Sequence, residues 1–164
     1  MSNSDITVDF EKRRQLEKIL GADHISYCYQ CGACVGDCPS ARFDPSFNPR
    51  TIVLKALMGD IDELTGENSI IWHCSNCYNC YERCPQDVRP VEVIIALKNI
   101  SSKSGKSEEG ILTIAKRIKD TGRSVPIMGS IEKMREGLGL PPLAVIDCTD
   151  LSIILNPENK DKQK

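Results

Sequence analysis

The sequence predicts a mainly α-helical chain in which helices lead into and out of two cysteine-rich loops, with a helix in front and a helical extension behind. Two cysteine runs of identical spacing mark the loops. Apolar residues at helical spacing, fenced by capping residues, prolines and glycines, mark the helices around them.

The elements follow in order. Asp9 to Leu20 reads as a first helix, with Leu16, Ile19 and Leu20 on its inner side and Gly21 as its stop. It enters the first cysteine run, which ends at Cys38, and Ser40 to Phe47 is expected to be a loop. Asn48 as N-cap and Pro49 at the first helical position then open a second helix. Its apolar face is Ile52, Val53, Ala56 and Leu57, and Gly59 ends it. Ser69 caps a short turn through Ile70, Ile71 and Trp72 that runs into Cys74. After the second run, Pro90 opens a helix to about Ile100, with Val91, Ile94 and Ile95 at helical spacing.

The rest of the chain has helix grammar without a ligand pattern. Ser107, Glu108 and Glu109 make an acidic start, Ile111, Ile114, Ala115 and Ile118 one apolar face, and Lys116, Arg117 and Lys119 a basic end before Gly122. Ser130 is expected to start a last helix carrying Ile131, Met134 and Leu138, which Gly137, Gly139, Pro141 and Pro142 break into an extended segment. Leu143 to Ile146, with Ser152 to Leu155, reads either as a core strand or as a surface that adds to a partner. The expected organisation is one unit over 1–155, with a core at about 25–103 and a helical extension over 104–155, then a fraying polar tail over 156–164.

The chemistry lies in the two runs, Cys28-x-x-Cys31-x-x-Cys34-x-x-x-Cys38-Pro39 and Cys74-x-x-Cys77-x-x-Cys80-x-x-x-Cys84-Pro85. Each matches the bacterial ligand spacing for a cubane iron–sulfur cluster, so two [4Fe–4S] clusters and an electron-transfer role are expected. Three cysteines at intervals of three, on a loop that coils back on itself, can aim their sulfurs at three corners of one cube. In two-cluster proteins with this spacing the fourth cysteine of each run serves the other cluster. That assigns Cys28, Cys31, Cys34 and Cys84 to one cluster, and Cys74, Cys77, Cys80 and Cys38 to the other. Pro39 and Pro85 stop a helix from continuing backwards through the last ligand, and Gly32 lets the first loop approach its cube closely. Structural zinc sites also use four cysteines, but usually as two separated pairs; three donors within seven residues, twice over, suit a cube better. Disulfides need an oxidising compartment, to which nothing here points.

With helices flanking each loop and a capped helix between the runs, the arrangement resembles the helical ferredoxin domain. A narrower resemblance rests on Cys28-Tyr29-Gln30-Cys31-Gly32-Ala33-Cys34 with Cys38-Pro39, Asn48-Pro49-Arg50, Trp72-His73-Cys74, and Cys80-Tyr81-Glu82-Arg83-Cys84-Pro85. From about Tyr27 to Ile100 the chain is similar to the iron–sulfur C subunits of the soluble heterodisulfide reductases of methanogens. The resemblance implies an electron relay in methanogenesis. Its partners would be a flavin-containing, iron–sulfur A subunit and a catalytic B subunit, which reduces the mixed disulfide of coenzyme M and coenzyme B. It also implies an associated hydrogenase or formate dehydrogenase, reached through the A subunit, with flavin-based electron bifurcation. Two other readings stay open: an iron–sulfur subunit of a quinone-linked anaerobic dehydrogenase or sulfur-metabolising complex, and a non-redox zinc module.

Other residues bound the function. Eight cysteines saturate two cubes and leave Cys148 over, a lone thiol beside Val145 and Ile146 that reads as a small buried hydrophobe. Fully ligated cubes would leave no open iron site, and the resemblance implies that catalysis lies on a subunit with paired adjacent cysteines, which do not occur here, so no catalytic residue and no substrate site are expected on this chain. His24 and His73 read as polar packing rather than iron ligands. Tyr27, Tyr29, Tyr78, Tyr81 and Trp72 are expected to shield the cubes from water. Arg83 either balances anionic clusters or forms an ordinary surface ion pair. A formal net charge of −2 argues against nucleic acid as a partner, and the basic run Lys98 to Arg123 reads as a solvated face. Met1 to Leu20 has charges throughout and no apolar segment, and no stretch approaches the length of a membrane span, so a cytoplasmic location is expected.

Overall fold

The computed structural model describes residues 8–154, with Ser152 and Ile153 described by backbone alone. Among the described residues the fold is helical and contains no strand. The chain divides into two compact units after Glu108, just inside the expected extension.

The first unit opens with α1 (Phe10–Glu17), where the Asp9 carboxylate accepts from the Lys12 N–H at 3.0 Å. The helix stops before Leu20, because the Ile19 and Ala22 N–H groups turn back to Leu16 and Ile19 carbonyls and Gly21 takes φ +89°. Leu16 is buried as expected, but Leu20, expected on the inner side, is 97% exposed.

The first run carries α2 (Ala33–Gly36) and is followed at once by α3 (Pro39–Phe43). A loop was expected from Ser40. Instead the Cys38 thiol takes the capping place, accepting from the Ala41 N–H at 3.5 Å, and Pro39 sits at the first helical position.

Next is α4 (Pro49–Met58), begun and ended as the sequence predicts. The Asn48 side chain accepts from the Arg50 and Thr51 N–H groups, and Gly59 ends the helix at φ +82°. A Cβ on Gly59 would lie 1.9 Å from the Asp9 carbonyl oxygen. The short α5 (Ile61–Leu64) follows, and α6 (Asn79–Glu82) lies within the second run. The long α7 (Pro90–Lys103) closes the unit, running slightly beyond its expected end. Two 3₁₀ turns, Ile25–Tyr27 and Ile70–His73, deliver the chain into Cys28 and Cys74.

Helix α4 packs on α7 and on α1, while α2 packs on α6, so the two loops meet above a shared core. That core is built from Leu16, Ile25, Ile52, Val53, Ile71 and Leu97, with Cys28, Cys38, Cys74 and Cys84 packed against it. Each of these apolar side chains contributes on the order of 1.5–3 kcal/mol by leaving water, which fixes the backbone on which the thiols stand.

The second unit holds α8 (Glu109–Thr121), α9 (Gly129–Gly137) and α10 (Thr149–Ile154). Gly122 ends α8 at φ +67°, with Ile146 packed where a Cβ would stand. Met128, not Ser130, occupies the capping position of α9, and α9 is not the last helix. Leu143 to Ile146 forms no strand. It is held as an irregular segment by Arg123, which donates to the Ala144 carbonyl, and by Arg135, which donates to the Pro141 carbonyl at 2.8 Å. Leu155 and the tail 156–164 lie outside the described residues.

Candidate metal centre

Both cysteine runs coil by the same backbone device. Gln30 and Gly32 in the first loop take φ +62° and +83°, and Asn76 and Tyr78, at the same places in the second, take +53° and +64°. Two left-handed residues between the cysteines turn the chain back on itself, so successive thiols come to one side. Glycine and asparagine tolerate this region, but a tyrosine does so at a cost of about 1–3 kcal/mol. Such strain persists where the surrounding structure enforces it.

The last cysteine of each run lies close to thiols of the other run. Cys34 stands among Cys28, Cys31 and Cys84; burial first, then the nearby thiols, pushes it up to about 11. Cys38, Cys74, Cys77 and Cys80 line one cavity, walled on its inner side by Phe47, Pro49, Val91 and Ile94. Burial also raises Cys74, with Cys38 and Cys77 adding to the shift, and burial followed by Cys74, Cys34 and Cys77 pushes Cys80 up to about 12. Thiols gathered this closely and this deeply resist ionisation until a cation shares their charge.

Among the described residues no three His, Cys, Asp or Glu side chains are grouped to hold a single ion. Cys38, Cys74, Cys77 and Cys80 line a space rather than converge on a point. An all-sulfur donor set around an apolar cavity fits a sulfur-ligated iron cluster. Cys31 and Cys77, the second cysteine of each run, are the exposed ones.

Donors surround the sulfurs. The Gln30 side-chain amide donates to Cys28 Sγ at 3.2 Å, the Ala41 N–H to Cys38 Sγ at 3.5 Å, and the Val88 N–H to Cys84 Sγ at 3.3 Å. Backbone N–H groups of Asn76 and Val91 act on Cys74 and Cys80 in the same sense. Two cations sit behind the loops. Arg50 Nε donates to Gln30 Oε1 at 3.2 Å, and Lys98 Nζ donates to the Cys74 carbonyl at 2.9 Å and to Asn76 Oδ1 at 3.1 Å. Burial pushes the half-buried Lys98 down, and the Cys74 thiol opposes that shift. The basic run beginning at Lys98 is therefore not simply a solvated face.

The other residues singled out from the sequence have plain partners. Arg83 pairs with Asp37 at 2.6 Å, and Asn79 donates to the Asp37 carbonyl at 3.0 Å, so both tie the end of the first run to the second. His73 Nδ1 lies 2.7 Å from Asp44, whose carboxyl is held low by Ser46 first and by His73 next. His24 Nδ1 lies 3.0 Å from the Asp87 carbonyl oxygen, so both histidines are polar packing.

The aromatic side chains are only partly placed to shield the sulfurs, with Tyr78 lining the cavity of Cys38, Cys74, Cys77 and Cys80. Tyr27 and Tyr29 are 59% exposed and Tyr78 is 44% exposed, while Tyr81 and Trp72 are only half-buried. Tyr29 engages the Cys31 thiol, which raises its own hydroxyl. Phe47, Pro49, Val91 and Ile94 join Tyr78 in that lining, and Phe47 was not singled out from the sequence. Cys148, expected to be buried, is half-buried, and its neighbour Val145 is 98% exposed. Arg50, Gln30, Lys98 and Asn76 were not singled out as site residues either. The signal available was the polar amide two places after the first cysteine of each run.

Residues 24–88 match the 4Fe-4S dicluster domain family. The chain is 40% identical over 126 residues to the iron–sulfur C2 subunit of the CoB–CoM heterodisulfide reductase of Methanocaldococcus jannaschii, covering 75% of this chain and 66% of that protein. It is 36% identical over 126 residues to the C subunit of the H(2):CoB-CoM heterodisulfide,ferredoxin reductase of Methanothermobacter marburgensis, covering 77% of this chain and 67% of that one. With the C subunit of the ferredoxin/F(420)H(2)-dependent CoB-CoM heterodisulfide reductase of Methanosarcina acetivorans it shares 32% identity over 133 residues, covering 81% and 80%. The chain thus spans slightly less than two thirds of the length of the M. jannaschii relative. The two cysteine runs, the helical frame and this similarity together place the chain in the family of iron–sulfur C subunits of heterodisulfide reductases.

Proposed function

We propose that this chain is the electron-relay subunit of a heterodisulfide reductase complex, holding two [4Fe–4S] clusters and carrying no substrate site of its own. Cys28, Cys31, Cys34 and Cys84 hold one cluster, and Cys74, Cys77, Cys80 and Cys38 hold the other. The observation that supports the reading is the grouping of thiols across the two runs, with Cys84 among the thiols around Cys34 and Cys38 in the cavity of Cys74, Cys77 and Cys80. Crossing brings the two sites within one small core, where an electron passes from one to the other without leaving the chain.

Clusters of this kind supply one-electron oxidation and reduction. The chain's residues do the rest. Phe47, Val91 and Ile94 keep water from the inner side of the second site. Backbone and side-chain N–H groups stabilise thiolate charge, and Asp37 with Arg83 and Asn79 holds the loops together. With all eight run cysteines committed and no adjacent pair of cysteines in the sequence, disulfide chemistry belongs to another polypeptide of the complex.

Electrons then enter from a flavin-containing A subunit, itself served by a hydrogenase or formate dehydrogenase, and leave to a catalytic B subunit that reduces the mixed disulfide of coenzyme M and coenzyme B. Among the described residues no helix is long and apolar enough to cross a membrane. Anaerobic purification from the native cell tests the proposal. Iron and acid-labile sulfide near eight each per chain, EPR signals from two interacting reduced clusters, and copurifying A and B subunits are expected. A colourless chain carrying zinc overturns the cofactor reading, and copurification with a quinone-linked membrane dehydrogenase overturns the choice of complex.

A further inference from the structure

We infer that Arg50 with Gln30, and Lys98 with Asn76, are two matched cation–amide couples that set the reduction potentials of the two clusters separately. The inference rests on the proposal that the chain holds two clusters.

The couples occupy the same place in each half. Gln30 and Asn76 each lie two residues after the first cysteine of their run, and both take a left-handed backbone. Each side-chain oxygen accepts from a cation on the first long helix after the run: Arg50, in the first turn of α4, and Lys98, in the third turn of α7. The residues differ, but the arrangement repeats. In the first half the amide then donates to Cys28 Sγ, so the Arg50 charge polarises a hydrogen bond that ends on a candidate ligand sulfur. In the second half Lys98 binds the carbonyl of Cys74 directly and stands 5.7 Å from the centre of the Trp72 ring.

A reduced cluster has one more negative charge than an oxidised one, so a nearby cation favours the reduced form. Hydrogen bonds to ligand sulfur act in the same direction. Arg50 is exposed and screened by water, whereas Lys98 is half-buried, so the second couple has the stronger hold. The two sites would thus differ in potential although their cysteine spacing is identical, which gives the relay a built-in difference between its two stations. These are positioning residues, since none of the four needs to bind iron.

The test is EPR-monitored redox titration of the anaerobically purified full chain. Lys98→Gln is expected to lower one midpoint by about tenfold in the reduction equilibrium, about 59 mV for one electron, and to leave the other in place. Arg50→Gln is expected to lower the other midpoint by a smaller step. Arg50→Lys and Lys98→Arg keep the charge and are expected to restore most of each shift. Should a neutral variant fail to take up iron, Gln30→Glu and Asn76→Asp carry the test, because they keep the acceptor and add a negative charge, again lowering one midpoint each. Loaded variants with unmoved potentials, or with both midpoints shifted equally by one substitution, overturn the inference. An unsubstituted chain that binds no clusters overturns the functional reading itself, and with it this inference.

Discussion

At the scale of single residues, Cys84 is the informative position. It closes the second run in sequence, yet in space it is one of the thiols that bear on Cys34. Cys84→Ser is therefore expected to abolish the same EPR signal as Cys31→Ser, and to leave the signal that Cys77→Ser removes. Iron content should fall by about half in each single variant, since each cubane needs four thiolates. If Cys84→Ser removes the signal that Cys77→Ser removes, the runs are not crossed. The candidate donor cysteines stand out from spacing alone, because cluster chemistry would impose that spacing. Arg50 and Lys98 do not, because each meets its amide only after the chain has folded back, and nothing in local sequence distinguishes them from surface cations. The tyrosines were legible only in part: Tyr78 lines the second cavity and Tyr29 engages the Cys31 thiol, yet Tyr27 and Tyr29 stay largely exposed, because nearness to a cysteine in sequence does not fix burial in space.

At the scale of elements, α4 is the frame of the first unit, since it packs on both α7 and α1. Its two ends give different predictions. Asn48→Ala removes an acceptor from two N–H groups, at 3.0 and 3.2 Å, and should cost about 1 kcal/mol. Gly59→Ala should cost more. Its backbone sits in the left-handed region, where a Cβ costs roughly 1–2 kcal/mol, and the added carbon would also press on the Asp9 carbonyl oxygen. Anaerobic chemical denaturation of the two variants orders these costs, and an Asn48→Ala loss equal to or above that of Gly59→Ala contradicts the account. Helices α4 and α7 were legible because each is long enough to repeat an apolar face and each has a proline at its first position. Helices α2, α5 and α6 span four residues each, too short for a period of 3.6 to show. Helix α3 hid behind an unusual cap, the thiol of Cys38, a residue whose spacing marks it as a ligand.

At the scale of the whole molecule, the chain is uneven in what holds it together. Among the residues with described side chains, none after Ser101 is buried, whereas the first unit contains a closed apolar core and all eight run cysteines. In the second unit Ile111, Leu112 and Ile114 on α8 remain 40% exposed or more, so that helix keeps much less burial in reserve against local opening. The connection between the units has exposed residues from Ser102 to Lys106, including Gly105 at φ +72°. Exposed backbone with little burial to lose is where a protease finds an extended segment. Limited proteolysis of the cluster-loaded chain under anaerobic conditions is therefore expected to cut first at Lys106, just past the end of α7, by trypsin, and to release a fragment that keeps its iron, colour and EPR signals. The expectation follows from the location of the ligands: Cys28 through Cys84 all lie before the cut, and the α4 and α7 contacts that brace their loops lie before it too. Mass spectrometry identifies the first cut and EPR follows the clusters through digestion. Loss of both signals on that first cleavage would show that the second unit is needed to keep the sulfurs in place, and that the core around α4 and α7 does not suffice.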